Sequence, residues 1–127
     1  MSTASRISST SHASPQLAAE LWTSFASLLR SHVAMYAIAR PEARLRTISG
    51  SNPTGVVELL GAKGKLVVLQ PDAAGRGAIE FRPEATELPD EYSTFFFTVE
   101  SSIYLENLSN SMDMEAVVEY LLGKVHV

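Results

Sequence analysis

The chain has 127 residues and no cysteine, which excludes disulfides, zinc–thiolate sites and thiol nucleophiles together and fits a reducing compartment. Long uncharged apolar runs are also missing. The richest stretch, 17–39, is interrupted by Glu20, Arg30 and His32, so no window reaches the roughly 20 residues that a membrane-spanning helix needs. The amino-terminal MSTASRISSTSHA lacks the apolar core of about 7–15 residues that a secretory signal requires. Its single arginine and many serines have some transit-peptide character, but a polar tail that buries nothing is the simpler reading. Charge is sparse at 19% of residues, whereas apolar residues make up 46%, a balance typical of folded proteins rather than disordered ones. These features predict a soluble, cytoplasmic protein with a polar tail at 1–13 and one domain at 14–127, which would bury roughly two-thirds of its extended-chain surface.

Charge is unevenly spread. Residues 1–46 carry five basic and two acidic side chains, whereas residues 80–127 carry two basic and ten acidic ones. Nucleic-acid binding requires a concentrated basic surface, because affinity comes from neutralising phosphates. Only Arg40, Arg44 and Arg46 approach one, and a solvated strand edge or pairing with the acidic half explains them better. No nucleic-acid or membrane partner is expected. The acidic stretch Glu84, Glu87, Asp90 and Glu91 does not have calcium-loop spacing.

The first element starts at Ser14-Pro15, an acceptor side chain followed by a residue suited to the first helical position. Leu17, Leu21, Trp22, Phe25, Leu28, Leu29, His32, Val33 and Tyr36 then fall within an arc of roughly 160° at helical periodicity. Pro41 ends the helix. Its back, with Ala19, Thr23, Ala26, Ser27, Ala34 and Ala37, is nearly uncharged and suits close approach of another backbone.

From Ala43 onward, short apolar runs (ARLRTIS, TGVVELL, KLVVLQ, GAIEFR, YSTFFFTV, IYLENL) alternate with turn residues, which predicts antiparallel strands. The segment PEATELPDE reads as a loop. Met114, Val117, Val118, Leu121, Leu122 and Val125 then define a carboxy-terminal helix capped by Ser111 or Asp113. The expected fold is α+β: a long first helix, an antiparallel meander of five or six strands and a last helix, in two layers. Val56-Val57, Leu59-Leu60 and Phe95-Phe96-Phe97 put apolar side chains on both sheet faces, so each face wants cover. Two helices sharing one face would leave the other for a second subunit or a ligand.

Chemical motifs are few. Gly61-Ala62-Lys63-Gly64-Lys65-Leu66 lacks both the earlier glycine and the hydroxyl residue of a phosphate loop, and reads as a hairpin turn. Gly75-Arg76-Gly77 is also turn chemistry. His12, His32 and His126 have no metal-ligand spacing. His32, mid-arc on the first helix, reads either as a general base at a pocket floor or as a histidine bonded to a backbone carbonyl. Glu58, Glu80, Glu100 and Glu106 are placed in strands, as candidates for a carboxylate pair whose separation only the fold sets.

The order helix, antiparallel meander, helix resembles frataxin-like domains. Their acidic ridge on the first helix and first strand is represented here only by Glu20, with Arg44 and Arg46 in its place, so no iron-related role is carried over. Small size, acidic pI and expected dimerisation are similar to secretion-chaperone domains, which place a helix within the sheet where this chain has PEATELPDE. Three functions are therefore weighed. The leading one is a non-enzymatic, homodimeric interaction domain. The second is a ligand-binding domain whose pocket lies between the first helix and the sheet, lined by Trp22, Phe25 and His32. The third is an enzyme using His32 or a strand carboxylate as base. Arg44 and Arg46, expected on one strand face, are further partner or ligand candidates. No cofactor or metal is implied.

Overall fold

A computed structural model describes residues 11–47 and 55–125. Helix α1 (Pro15–Ala39) starts where Ser14 Oγ accepts the Leu17 amide at 3.2 Å, with Pro15 in the first turn. It closes with the Arg40 amide donating to the Tyr36 carbonyl at 2.8 Å, immediately before Pro41. A 3-10 turn (Pro41–Ala43) follows, then β1 (Arg46–Thr47), β2 (Val56–Gly61), β3 (Gly64–Leu69), β4 (Gly77–Pro83), β5 (Glu91–Phe97), β6 (Ile103–Leu105), β7 (Asn110–Met112) and helix α2 (Met114–Val125). All strands pair antiparallel with their chain neighbours, forming a seven-stranded meander in sequence order. The fold is the α+β arrangement expected, with seven strands rather than five or six.

The extra strand comes from the carboxy-terminal part of the sheet. The run IYLENL does not continue as one strand. After Leu105 the chain turns, with the Leu108 amide bonded to the Leu105 carbonyl at 3.1 Å and Ser109 at φ 50°. It returns as β7, which carries Ser111. Asp113 is therefore the cap of α2, its carboxylate accepting the Ala116 amide at 2.9 Å. No helix interrupts the described part of the sheet, and 84–90 is a loop as expected. The first strand is shorter than ARLRTIS suggests. Arg44 adopts the left-handed conformation, φ 55° and ψ 34°, and so lies outside it. Residues 48–49 of that run lie outside the described residues.

Both helices pack on one face of the sheet and against each other. Their inward side chains meet Val57, Leu59, Leu66, Val68, Ile79, Phe81, Phe95, Phe97, Ile103 and Leu105, which alternate along the strands in one buried cluster. Phe95 and Phe97 meet edge to face at 5.7 Å, and Phe25 of α1 meets Phe97 the same way at 6.3 Å, an arrangement favoured by the ring quadrupoles. Two glycines allow closer approach than any side chain would. A Cβ on Gly61 would strike the Val125 carbonyl of α2, and one on Gly77 would enter the Phe95 ring.

Helix α1 is rotated from its expected orientation. Its buried residues are Ala18, Trp22, Phe25, Ala26, Leu29 and Val33. Ala26, expected on the helix back, is only 4% exposed, whereas Leu17, Leu21, Leu28 and His32 are half-buried. The two largest rings, Trp22 and Phe25, are drawn fully inward, and the small Ala26 lets the helix roll toward that side. The amino-terminal tail is also tied down earlier than expected. Val99 donates its amide to the Ser11 carbonyl, and Ala13 donates its amide to the Phe97 carbonyl, so residues 11–13 run antiparallel to the end of β5.

Candidate functional site

The sheet face turned away from the helices carries most of the exposed chemistry, and the strand register sorts it into rows. At the β2–β3 turn end, Arg46, Leu60, Lys65 and Arg82 lie side by side across four strands. Glu58, Val67, Glu80 and Tyr92 form the next row, followed by Val56, Leu69, Ala78 and Thr94. Phe96, Tyr104 and Ser111 complete the far end. Among the described residues no helix covers this face, and Val56, Leu60, Val67 and Leu69 are half-buried while Tyr92 is 67% exposed.

The far end does have cover. His12 stacks on Phe96 with ring centroids 3.7 Å apart, and Tyr104 stacks on Phe96 at 5.0 Å. This explains how Phe96, on the face without helices, is only 7% exposed. Beside the stack, Arg76 holds Glu106 with two bonds of 3.0 and 3.1 Å, and the Thr94 hydroxyl donates to the same carboxylate. The Thr94 bond and then Arg76 hold the Glu106 carboxyl below its ordinary pKa, outweighing the opposing effect of burial. The Arg76 turn is shaped by Asp72, whose carboxylate accepts the amides of Ala74 and Arg76 at 2.9 and 3.2 Å. Neither Glu100, in the turn after β5, nor Glu106, just past β6, lies within a strand as expected. Glu58 and Glu80 do share a face, but Val67 of β3 stands between them, putting their strands about 10 Å apart.

The sequence candidates scatter. Trp22 and Phe25 are core side chains, 4% and 1% exposed, with ring centroids 6.2 Å apart. They fill the space between α1 and the sheet where a pocket was considered. His32 is half-buried, and its Nδ1 donates to the Leu28 carbonyl one turn back at 3.1 Å. None of these three lines the cavities described below. Arg44 and Arg46 do not share a strand face, because Arg44 precedes the strand in its left-handed conformation. They nevertheless converge on one depression of about 450 Å³, together with Leu60, Gly61, Ala62 and Glu84.

Two features escaped sequence reasoning. One is an apolar stripe along the outside of α1, where Leu17, Leu21 and Leu28 lead to Met35 and Ile38, 66% and 83% exposed. The apolar arc carried the signal but could not show which of its flanks faces the core. The other is a groove of about 670 Å³ beside the carboxy-terminal end of α2, walled by Phe81, Pro83, Ala85, Leu88 and Pro89. Lys124 lies at its edge, bonded to Glu91 at 2.8 Å with its Nζ over the Phe81 and Tyr120 rings. Among the described residues no three side chains are grouped to hold a metal ion, and no helix is long and apolar enough to cross a membrane.

The chain matches no protein-family model, no curated protein and no solved structure.

Proposed function

We propose that this chain is a small, non-enzymatic interaction domain that works as a homodimer in the cytoplasm, with the helix-free sheet face as its contact surface. One observation carries the reading: both helices lie on the same side of a sheet whose strands hold apolar residues on both sides. An antiparallel sheet that faces water on one side ordinarily alternates apolar with polar residues, whereas here Val56, Leu60, Val67 and Leu69 occupy the outer positions of β2 and β3.

Size and charge both suit a second copy. Seven strands of two to seven residues, about 4.8 Å apart and rising about 3.3 Å per residue, span a plane of about 540 Å², about two-thirds of the roughly 800 Å² per partner of a stable interface. The rows carry Arg46, Lys65 and Arg82 beside Glu58 and Glu80, so the basic row of one copy can face the acidic row of the other. Absence of cysteine suits the reducing cytoplasm.

Size exclusion with light scattering on the full chain tests the reading. The expected mass is twice 13.8 kDa. Tyr92→Arg, at an outer position of β5, should shift the mass to one chain while leaving the far-ultraviolet circular dichroism unchanged. A wild-type mass of one chain at micromolar concentration overturns the proposal. A dimer that Tyr92→Arg leaves intact moves the interface off this face. Ile38→Lys, on the outer stripe of α1, then tests the other apolar surface.

A further inference from the structure

We propose that the corner of the domain at the β2–β3 turn binds a small amphipathic oxyanion, a medium-length alkyl or acyl chain ending in phosphate or carboxylate. Arg44 and Arg46 would hold the head group, and the adjoining apolar groove would hold the chain.

Arg44 and Arg46 are two cations without an ion-pair partner among the described residues. Among the described residues the ion pairs are Arg76 with Glu106, Arg82 with Asp90 and Lys124 with Glu91. Arg44 and Arg46 have none, although they line the same depression. Their surroundings are also cationic. Arg46 shares its row with Lys65, which has no ion pair among the described residues, and with Arg82, which Asp90 holds. Guanidinium groups present fixed forks of donors that match the paired oxygens of a carboxylate or phosphate. Glu84 is the one carboxylate in the depression, so its lining is net positive.

The backbone at Arg44 is a second, separate observation. This residue is held at φ 55° with its amide donating to the Pro41 carbonyl at 3.1 Å. Glycine adopts that conformation without strain, yet the position carries a long cation directed at the depression.

The third observation gives the ligand its chain. The apolar groove shares Ala62 and Glu84 with the arginine depression, so the two cavities meet at the tip of the β2–β3 turn. Leu88 in its wall is 54% exposed, although it stands beside Phe81, Pro83 and Pro89. Lys124 at the groove edge is already neutralised by Glu91, and the groove's other lysine, Lys63, stands next to the shared Ala62, so the anionic head belongs at that junction with the arginines. A cationic cup opening onto an apolar trough suits a ligand charged at one end and greasy along its length.

Isothermal titration of the full chain at low ionic strength tests this, with octyl phosphate as the probe and octanoate, inorganic phosphate and 1-octanol as further arms. Octyl phosphate should saturate a single site per chain, at least about tenfold tighter than inorganic phosphate or octanol, and octanoate shows whether a carboxylate head serves equally. Arg44→Gly should weaken octyl phosphate by about tenfold while leaving the thermal midpoint unchanged or higher, because glycine relieves the left-handed strain. Leu88→Asn, which removes the apolar wall without adding charge, should weaken octyl phosphate without altering inorganic phosphate, and Glu84→Gln should tighten both. Absence of saturable octyl phosphate binding overturns the proposal, as does binding that survives both Arg44→Gly and Leu88→Asn. Equal affinity for inorganic phosphate removes the groove from the site, and equal affinity for octanol removes the arginines.

Discussion

The two faces of the sheet are built from the same strands and differ at almost every residue. On the helix side Leu59, Leu66, Val68 and Leu105 have no exposure at all, and the Phe97 ring meets both Phe95 and Phe25 of α1 edge to face. On the other side neighbouring positions alternate among cations, carboxylates and half-buried aliphatics, and among the described residues only the end under His12 is closed. The helix side is a finished core, in which every side chain touches another. The outer side is graded from a basic row through acidic and apolar rows to an aromatic stack, an arrangement suited to meeting something else. One period-2 pattern therefore carries two tasks, and residues adjacent in sequence belong to different ones.

Leu66 and Val67 give the sharpest test of that division. Leu66→Ala should destabilise by about 2–5 kcal/mol in urea unfolding, because it opens a cavity beneath α2. Val67→Ala, one residue away on the outer face, should cost less than about 1 kcal/mol at low protein concentration. In a homodimer the Val67 penalty should grow with concentration, since dissociation is then part of unfolding. Equal penalties at all concentrations would show that the two faces are equally buried in the single chain.

The next effect concerns what covers the finished face. Asp113→Ala removes the acceptor for the Ala116 amide at the start of α2 and should cost about 0.5–2 kcal/mol, read as a lower denaturation midpoint. Asp113→Asn should recover most of it, because the amide oxygen can still accept.

The smallest effect belongs to the outer face. The Glu106 carboxyl is held below its ordinary pKa by Thr94 and Arg76, so the folded state favours its charged form. Its contribution to stability is present above the unfolded-state pKa and is lost as pH falls through the lowered folded-state value. Glu106→Gln should flatten stability against pH across that acid range and change little near neutrality beyond a uniform offset. An unchanged acid limb would show that the Arg76–Glu106–Thr94 cluster does not hold the charge.

Much of the architecture was legible because local signals and the fold agreed. Pro15 and Pro41 bracket α1, the 3.6-residue period of Val117, Val118, Leu121, Leu122 and Val125 marks α2, and the Gly61 to Gly64 segment turns as its glycines require. Signals that were short or non-periodic failed. Residues 110–112 have no apolar period, so β7 is visible only through its pairing with β6. The Arg44 conformation interrupts a run that reads as strand. The basic depression was half legible: Arg44 and Arg46 stood out, whereas Glu84 and the Leu88 groove are brought beside them from the far side of two hairpins.

Sequence alone determined the two helices and the antiparallel order of the strands before β7, because helix caps, proline stops and apolar periods act over a few residues of contiguous chain. It also determined that apolar residues line both sides of the strands, since side chains alternate whatever surrounds them. Tertiary structure alone decided that both helices take the same side, that α1 rolls inward on Trp22 and Ala26, and that two arginines meet an apolar groove at one corner. Those choices depend on which surfaces fill one another's space most completely, and that is settled between segments distant in sequence.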